Sequence, residues 1–163
     1  MKKFLIFFIL FYLVACSNTI VQSDKVVKIE CPNVFFSAEN NVYIDGDNQN
    51  TDLENINYKA VLNNYSFVGD CLSDSINNIY IIDILILVEP LNPNYYNISL
   101  PIFILLYDQN GNLLDKQYFR IEDAFNDNQI TQYNLKEVVG KINIFLENEK
   151  KVDSMTIGFV NIN

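Results

Sequence analysis

The residue types that most often carry out catalysis are sparse in this sequence. The chain contains no histidine, which removes the commonest general base and the commonest ligand of transition metals. A Ser-His-Asp triad and a Cys-His pair are therefore both excluded. Its five glycines lie scattered, without the clustered spacing of a phosphate-binding loop. We predict no catalytic residue and no cofactor. A hydrolase of unfamiliar design, built on a serine-lysine dyad or a carboxylate pair, stays as a remote alternative.

The first of the three cysteines ends a short apolar segment. Two lysines precede an unbroken apolar run from Phe4 to Ala15, and Cys16 follows directly. A basic start, a short apolar run and a small residue before the cut are typical of a secretory signal peptide. As a helix this run rises only about 18 Å, well short of a hydrocarbon core about 30 Å thick. We therefore expect residues 1–15 to be cleaved.

The four residues Leu13-Val14-Ala15-Cys16 resemble the bacterial lipobox, in which an apolar, a variable and a small residue precede an invariant cysteine. The resemblance implies that the Cys16 thiol receives a diacylglycerol, that the signal is removed before it, and that the new amine is acylated. Two acyl chains suffice for stable anchoring. The alternative is an ordinary signal cut near Ala15, which leaves a free cysteine. Ser17, rather than Asp, follows the cysteine, which favours the outer membrane; a Gram-positive host would make the segment a plasma-membrane anchor.

Cys31 and Cys71 are the two remaining thiols. An exported protein meets oxidising surroundings, where such a pair is expected to form a disulfide. The bridge would close a loop of about 40 residues, and the chain-entropy estimate of its stabilisation is about 4 kcal/mol. A metal site is the competing use, but two thiols without histidine furnish it poorly. We predict a Cys31–Cys71 disulfide.

The mature chain is expected to be a single acidic domain. Cleavage of 15 of the 163 residues leaves 148, enough for one domain with a substantial core. The signal contains two lysines and no acidic residue, so its removal takes the formal net charge from −9 to −11. Such a charge repels nucleic acid and anionic headgroups. We therefore exclude nucleic acid as a partner and place the membrane contact at lipidated Cys16.

The mature chain contains segments that are typical of β-strands. We expect a lipidated cysteine and polar tether over 16–25 and one domain over 26–163. Asn110-Gly111 between two apolar runs indicates a β-hairpin, and a short helical turn is predicted near Leu135–Val139. Alternating or β-branched apolar patterns predict strands over 25–36, 57–68, 78–88, 100–107, 113–121, 131–146 and 154–162.

The segment 78–88 fixes which of its faces is buried. The face that begins with Tyr80 continues through isoleucines to Val88, whereas Asp83 interrupts the other face. A lone buried Asp would be costly, so the Tyr80 face is predicted to point inward. About seven short strands separated by turns predict an all-β fold, an antiparallel immunoglobulin-like β-sandwich preceded by the signal peptide and tether.

Two loops are candidate ligand sites. Asp45, Asp47 and Asp52, with Gln49 or Asn50, supply the oxygen atoms that Ca²⁺ prefers. The loop departs from an EF-hand at its sixth and twelfth positions, and a solvated Asp-rich and Asn-rich turn is the favoured interpretation.

Tyr95 and Tyr96 lie in a predicted loop beside Pro93 and form a candidate binding surface for a protein or a sugar. Such tyrosines more often pack on the adjacent sheet, and this packing role is the favoured interpretation. The outward face of 78–88 is also more apolar than solvent exposure requires. Cover by the edge of the other sheet, contact with a partner protein and AT-rich coding bias all explain it. The outward residues concerned are Ile79, Ile81, Leu85 and Leu87.

Several short marks occur in one order along the mature chain. They are Cys31-Pro32, then Cys71, then Leu100-Pro101-Ile102-Phe103, a hairpin, and Gly158-Phe159. This order resembles a family of small alphaproteobacterial lipoproteins that have a Cys-Pro, a second Cys, a Leu-Pro-Tyr-Phe and a final Gly-Phe. Ile102 replaces the usual aromatic residue. The family has no assigned activity, so the resemblance implies a fold and a location but no chemistry.

The expected function is that of a lipid-anchored envelope protein facing the periplasm. We expect it to act without catalysis, as an adaptor or assembly factor that contacts an envelope protein partner. A small-ligand or Ca²⁺-binding module is the alternative from a different class.

Overall fold

The computed structural model of this protein describes residues 25–46 and 56–160. Within these two ranges, the chain forms β-strands and one short helix, α1 (Asp127–Gln132). The prediction of an all-β chain is confirmed. The strands are β1 (Val27–Ile29), β2 (Asn33–Phe36), β3 (Val42–Gly46), β4 (Ile56–Phe67), β5 (Cys71–Ser73), β6 (Asn77–Pro90), β7 (Asn97–Tyr107), β8 (Leu113–Ala124), β9 (Lys136–Glu147) and β10 (Ser154–Phe159).

The larger sheet is built around β6. Strand β9 pairs along one edge of β6, whereas β4 and β5 follow each other along the opposite edge. Outside them, β3 pairs with β4 and β1 pairs with β5. All of these pairings are antiparallel.

The smaller sheet has the order β2-β10-β7-β8. Strands β2 and β10 are parallel, and the other two pairings are antiparallel. The predicted hairpin is present between β7 and β8. Its turn places Gly111 at a φ of 77°, where a side chain would be strained. The Asp108 carboxylate accepts hydrogen bonds from the backbone N–H groups of Asn110 and Asn112, both at 2.8 Å.

The two sheets enclose one hydrophobic core. Along β6, buried residues alternate with half-buried ones, and Tyr80 is 1% exposed. The predicted inward face is therefore confirmed, and Asp83 lies on the outer face of the sheet. Buried residues of β4, β6 and β9 form one cluster with those of β2, β7 and β10. At about 25 cal/mol per Å² of apolar area removed from water, this shared core is the main stabilising element of the fold.

The N-terminal segment differs from its prediction as a single strand over 25–36. The chain forms β1 in the larger sheet, crosses at Cys31-Pro32, and continues as β2 in the smaller sheet. Pro32 has no backbone N–H to donate to a strand pairing, so it interrupts the strand at this point. The alternation of apolar residues does not predict that the chain moves from one sheet to the other here.

The predicted helical turn near Leu135–Val139 is wrong. Residues 136–147 instead extend along β6 as strand β9, and the helix lies earlier, at α1. A capping box begins it: the Asn126 side chain accepts from the Gln129 N–H, and the Gln129 side chain accepts from the Asn126 N–H. Tyr133, in the left-handed conformation, ends it.

Candidate functional site

The predicted disulfide joins Cys31 to Cys71, with a Cα–Cα distance of 5.3 Å. Cys71 begins β5 and lies opposite Ile29 of β1. Cys31 lies in the segment that crosses from the larger to the smaller sheet. The bridge therefore holds this crossing segment against the body of the domain.

The lipidation site Cys16 lies outside the residues that the structure describes. Its acylation and the cleavage of residues 1–15 stay predictions. Within residues 25–46 and 56–160, no helix combines the length and apolar character needed to cross a bilayer.

The candidate cation loop is described only at its beginning. Asp45 lies in β3, whereas Asp47 and Asp52 are outside the described residues. The Asp45 carboxylate already accepts a hydrogen bond from Asn57 Nδ2 at 2.8 Å. Burial raises the pKa of Tyr43, and the neighbouring Asp45 raises it further through its charge and a hydrogen bond. In the described part of the chain, no three acidic or thiol side chains come together in a way that would hold a metal ion.

The two loop tyrosines have different surroundings. Tyr95 packs against the core, with its ring centroid 6.1 Å from that of Tyr58. Tyr96 is 43% exposed. Tyr95 thus contributes to an aromatic cluster at one end of the sheets, and of the two only Tyr96 is exposed.

Tyr58 links the two sheets by hydrogen bonds that sequence reasoning missed. It lies in β4 and is 0% exposed. Its hydroxyl donates to Ser99 O at 2.8 Å and accepts from the Ser99 N–H at 3.0 Å. Burial raises the pKa of Tyr58 well above its ordinary value, although the bond to Ser99 acts in the opposite direction. The hydroxyl satisfies two backbone groups of β7.

The outer face of the larger sheet contains apolar residues among polar ones. Directly paired residues share a face, so the strand register shows which side chains meet. Leu87 of β6, for example, lies between Glu137 of β9 and Val61 of β4. The apolar members of this outer face are Val42, Ile44, Val61, Leu72, Ile79, Ile81, Leu85, Leu87, Val139 and Phe145.

The exposed apolar residues of this outer face are Val139 at 61%, Ile44 at 56% and Phe145 at 53%. Strand β9 is paired on one side only. A polar row crosses the centre, where Asp83 lies opposite Lys141, and Asn143 lies beside this row on β9. Asp83 Oδ1 is buried and has no hydrogen-bond partner among the described residues. Of the three explanations for the apolar outer face, cover by the other sheet does not apply within the described residues.

A cavity of about 490 Å³ opens at the end of the sheets beside the disulfide. The crossing segment, the start of β6 and the loop between β9 and β10 line it. Two of its lining residues, Asn78 and Tyr80, are deeply buried, at 5% and 1% exposure. One sequence signal points to this site: Asn78 is a polar residue on the inward, otherwise apolar face of β6.

The marks of the family resemblance come together in pairs. Cys31 and Cys71 form the disulfide, and Phe103 lies directly opposite Gly158. A Cβ atom at Gly158 would lie 2.5 Å from Phe103 Cζ, so only glycine leaves room for this ring. Ile102 is 0% exposed in the core and lies opposite Phe159. These marks therefore serve the packing of the fold.

No family model, no curated protein and no solved structure matches this chain.

Proposed function

We propose that this protein is a lipid-anchored cell-envelope lipoprotein that acts as an adaptor. In this proposal, residues 1–15 are the signal peptide, Cys16 bears the lipid, and a tether to residue 25 carries an immunoglobulin-like β-sandwich at the outer membrane, facing the periplasm. The resemblance to small alphaproteobacterial lipoproteins is part of the same proposal. Anchoring raises the effective concentration of the domain for a partner at the membrane.

The apolar outer face of the larger sheet is the observation that supports the adaptor function. A sheet face that is exposed to water ordinarily consists of polar residues. Contiguous exposed apolar patches mark interaction sites. Here apolar residues of β6 lie beside exposed Val139 on one side of the Asp83–Lys141 row and beside exposed Phe145 on the other side. This face is where the partner binds.

Charge indicates what kind of protein the partner is. The mature chain has a formal net charge of −11 once the signal lysines are removed. Glu137 and Glu147 lie near the two ends of exposed strand β9 on the outer face, whereas Glu89 lies opposite Lys59. A partner with an apolar surface bordered by Lys or Arg would complement this face and approach faster.

A Cys16→Ser substitution in the full chain tests the anchor. We expect the variant to leave the membrane fraction and appear in the soluble fraction, because it has no thiol to acylate. The measurement is fractionation of cells that express each form, with the wild type as reference. Normal processing of Cys16→Ser, together with continued sedimentation with membranes, would contradict the anchor.

A pair of matched substitutions tests the outer face. Phe145→Ser removes an aromatic ring that is 53% exposed on the larger sheet, and Tyr118→Ser removes one that is 60% exposed on the smaller sheet. After crosslinking in intact cells, we expect a discrete adduct that Phe145→Ser abolishes and Tyr118→Ser preserves. An adduct that responds equally to both substitutions, or to neither, would place the interface elsewhere.

A further inference from the structure

The cavity beside the disulfide is separate from the outer face assigned to the adaptor. Its volume of about 490 Å³ lies within the range of roughly 300–1,000 Å³ that is common for small-molecule sites. Its apolar lining comes from Ile29, Pro32, Val152 and the disulfide-bonded Cys31. The space is therefore large enough for a small organic molecule and has walls that an alkyl chain can contact.

Two deeply buried polar side chains line this cavity with hydrogen-bonding capacity left over. The Tyr80 hydroxyl has no partner in the described part of the chain, although the residue is only 1% exposed. Asn78 Nδ2 donates to Lys150 O at 2.9 Å, whereas no described residue donates to Asn78 Oδ1. Neither atom is a fully buried atom that lacks a partner, since among the described residues only Asp83 Oδ1 is of that kind. Both atoms are therefore accessible from the cavity and available to hydrogen-bond a bound molecule.

Among the remaining polar groups of the lining, Asn33 and Ser73 can both donate and accept, whereas Asn148, Glu30 and Asp153 offer acceptors. Asn148 Nδ2 donates to Asp74 O at 3.2 Å and to Ser75 O at 2.9 Å, so its N–H groups are already engaged and Oδ1 is left. Glu30 and Asp153 add two carboxylates that form no ion pair within the described residues.

The charged side chains of the lining carry a net negative charge, which favours the same kind of ligand as the acceptors do. Lys151 supplies one ammonium group against the carboxylates of Glu30 and Asp153. The lining therefore favours a ligand that is rich in donors and positively charged. An ammonium ion has three N–H donors and no acceptor, which complements this arrangement.

We propose that this cavity binds a small organic ammonium ion, such as an alkyl diamine. Carboxylate and amide oxygens of Glu30, Asp153 and Asn78 accept its N–H groups, and the alkyl chain contacts Pro32 and Val152. The Tyr80 hydroxyl is an additional hydrogen-bonding group at the buried end. Burial raises the pKa of Tyr80 to about 12, so this hydroxyl stays neutral at physiological pH. The net negative charge of the chain raises the local concentration of such cations.

Isothermal titration calorimetry of the full chain in a nonionic detergent tests this site. The probes are cadaverine and pentanediol, which have the same five-carbon chain but end in ammonium groups and hydroxyls respectively. We expect saturable binding of one cadaverine per chain and no measurable binding of pentanediol. Absence of cadaverine binding, or equal binding of the two probes, would overturn the proposal.

Substitutions then locate the bound probe. Glu30→Gln and Asp153→Asn are each expected to weaken binding about tenfold, since each removes a charge-assisted hydrogen bond. Tyr80→Phe keeps the buried ring and is expected to weaken binding about threefold.

Glu122→Gln is the matched control, because it removes one exposed carboxylate of β8 that is not part of the cavity lining. We expect its affinity to stay within a factor of about two of wild type, the change expected of a distant surface charge. If Glu122→Gln weakens binding as much as Glu30→Gln, the probe is attracted only by net charge and the proposed site is wrong. Phe145→Ser on the outer face should leave cadaverine binding unchanged, which separates this site from the adaptor surface.

Discussion

Two buried tyrosines give the sharpest test of the hydrogen bonds in this fold. Tyr58→Phe and Tyr80→Phe each remove one hydroxyl oxygen from a ring that is 0% or 1% exposed. The Tyr58 hydroxyl forms two bonds with Ser99, at 2.8 and 3.0 Å. The Tyr80 hydroxyl forms none with the described residues. The two variants therefore lose the same atom but a different number of hydrogen bonds.

The expected difference follows from the net worth of a hydrogen bond. Each contributes about 0.5–1.5 kcal/mol, so Tyr58→Phe should lower the free energy of unfolding by about 1–3 kcal/mol. It also leaves the N–H and C=O of Ser99, which is half-buried, without that partner. Tyr80→Phe should change the free energy of unfolding by less than about 0.5 kcal/mol, or raise it, because no bond is lost.

The assay is urea unfolding of the oxidised full chain at neutral pH, followed by circular dichroism in the same detergent for all forms. With a slope of about 2 kcal/mol per M, the Tyr58→Phe midpoint should fall by about 0.5–1.5 M. The Tyr80→Phe midpoint should stay near wild type. Equal losses in the two variants would refute the assignment of the bridging bonds to Tyr58 alone.

Three further outcomes are expected. Above pH 10 the free energy of unfolding should fall, because burial raises the pKa of Tyr80 to about 12 in the folded state, whereas a tyrosine of the unfolded chain has a pKa of about 10; Tyr80→Phe should lessen this fall in an alkaline urea series. Replacing Cys31 and Cys71 by Ala should lower the free energy of unfolding by about 4 kcal/mol, since the bridge spans a sequence separation of 40, and a urea midpoint equal to that of the oxidised wild type would contradict this value. Gly140→Ala places a Cβ 2.6 Å from Ile121 Cγ1 and should cost about 1–3 kcal/mol; thermal melting of the double variant with Ile121→Ala should show partial rescue, and simple additivity would show that the contact is not the cause.

Much of the strand pattern could be predicted because it depends on local sequence. The inward face of β6 followed from an alternation that only Asp83 interrupts, and the hairpin followed from Asn110-Gly111. The Cys31–Cys71 pairing followed from the number of thiols that remained after Cys16. Strands β3 and β5 were missed, because five-residue and three-residue strands have too short a pattern to distinguish them from loops.

Elements whose surroundings come from distant residues could not be predicted. The helical turn was misplaced because the apolar residues after Tyr133 fit either period, and pairing with β6 decides for a strand. The hydrogen bond of Asp45 could not be predicted for the same reason, because its carboxylate contacts Asn57 of the next strand.

The sequence by itself determined the all-β class, the buried face of β6 and the disulfide pair, because side-chain period, turn residues and thiol count act locally. It also predicts the lipidated Cys16, which lies outside the described residues. Only the tertiary structure decided that β1 and β2 belong to different sheets, that Tyr58 reaches Ser99, and that Asn78 and Tyr80 meet Glu30 and Asp153 around one cavity. These contacts join residues tens of positions apart, and only the packing of one sheet on the other brings them together.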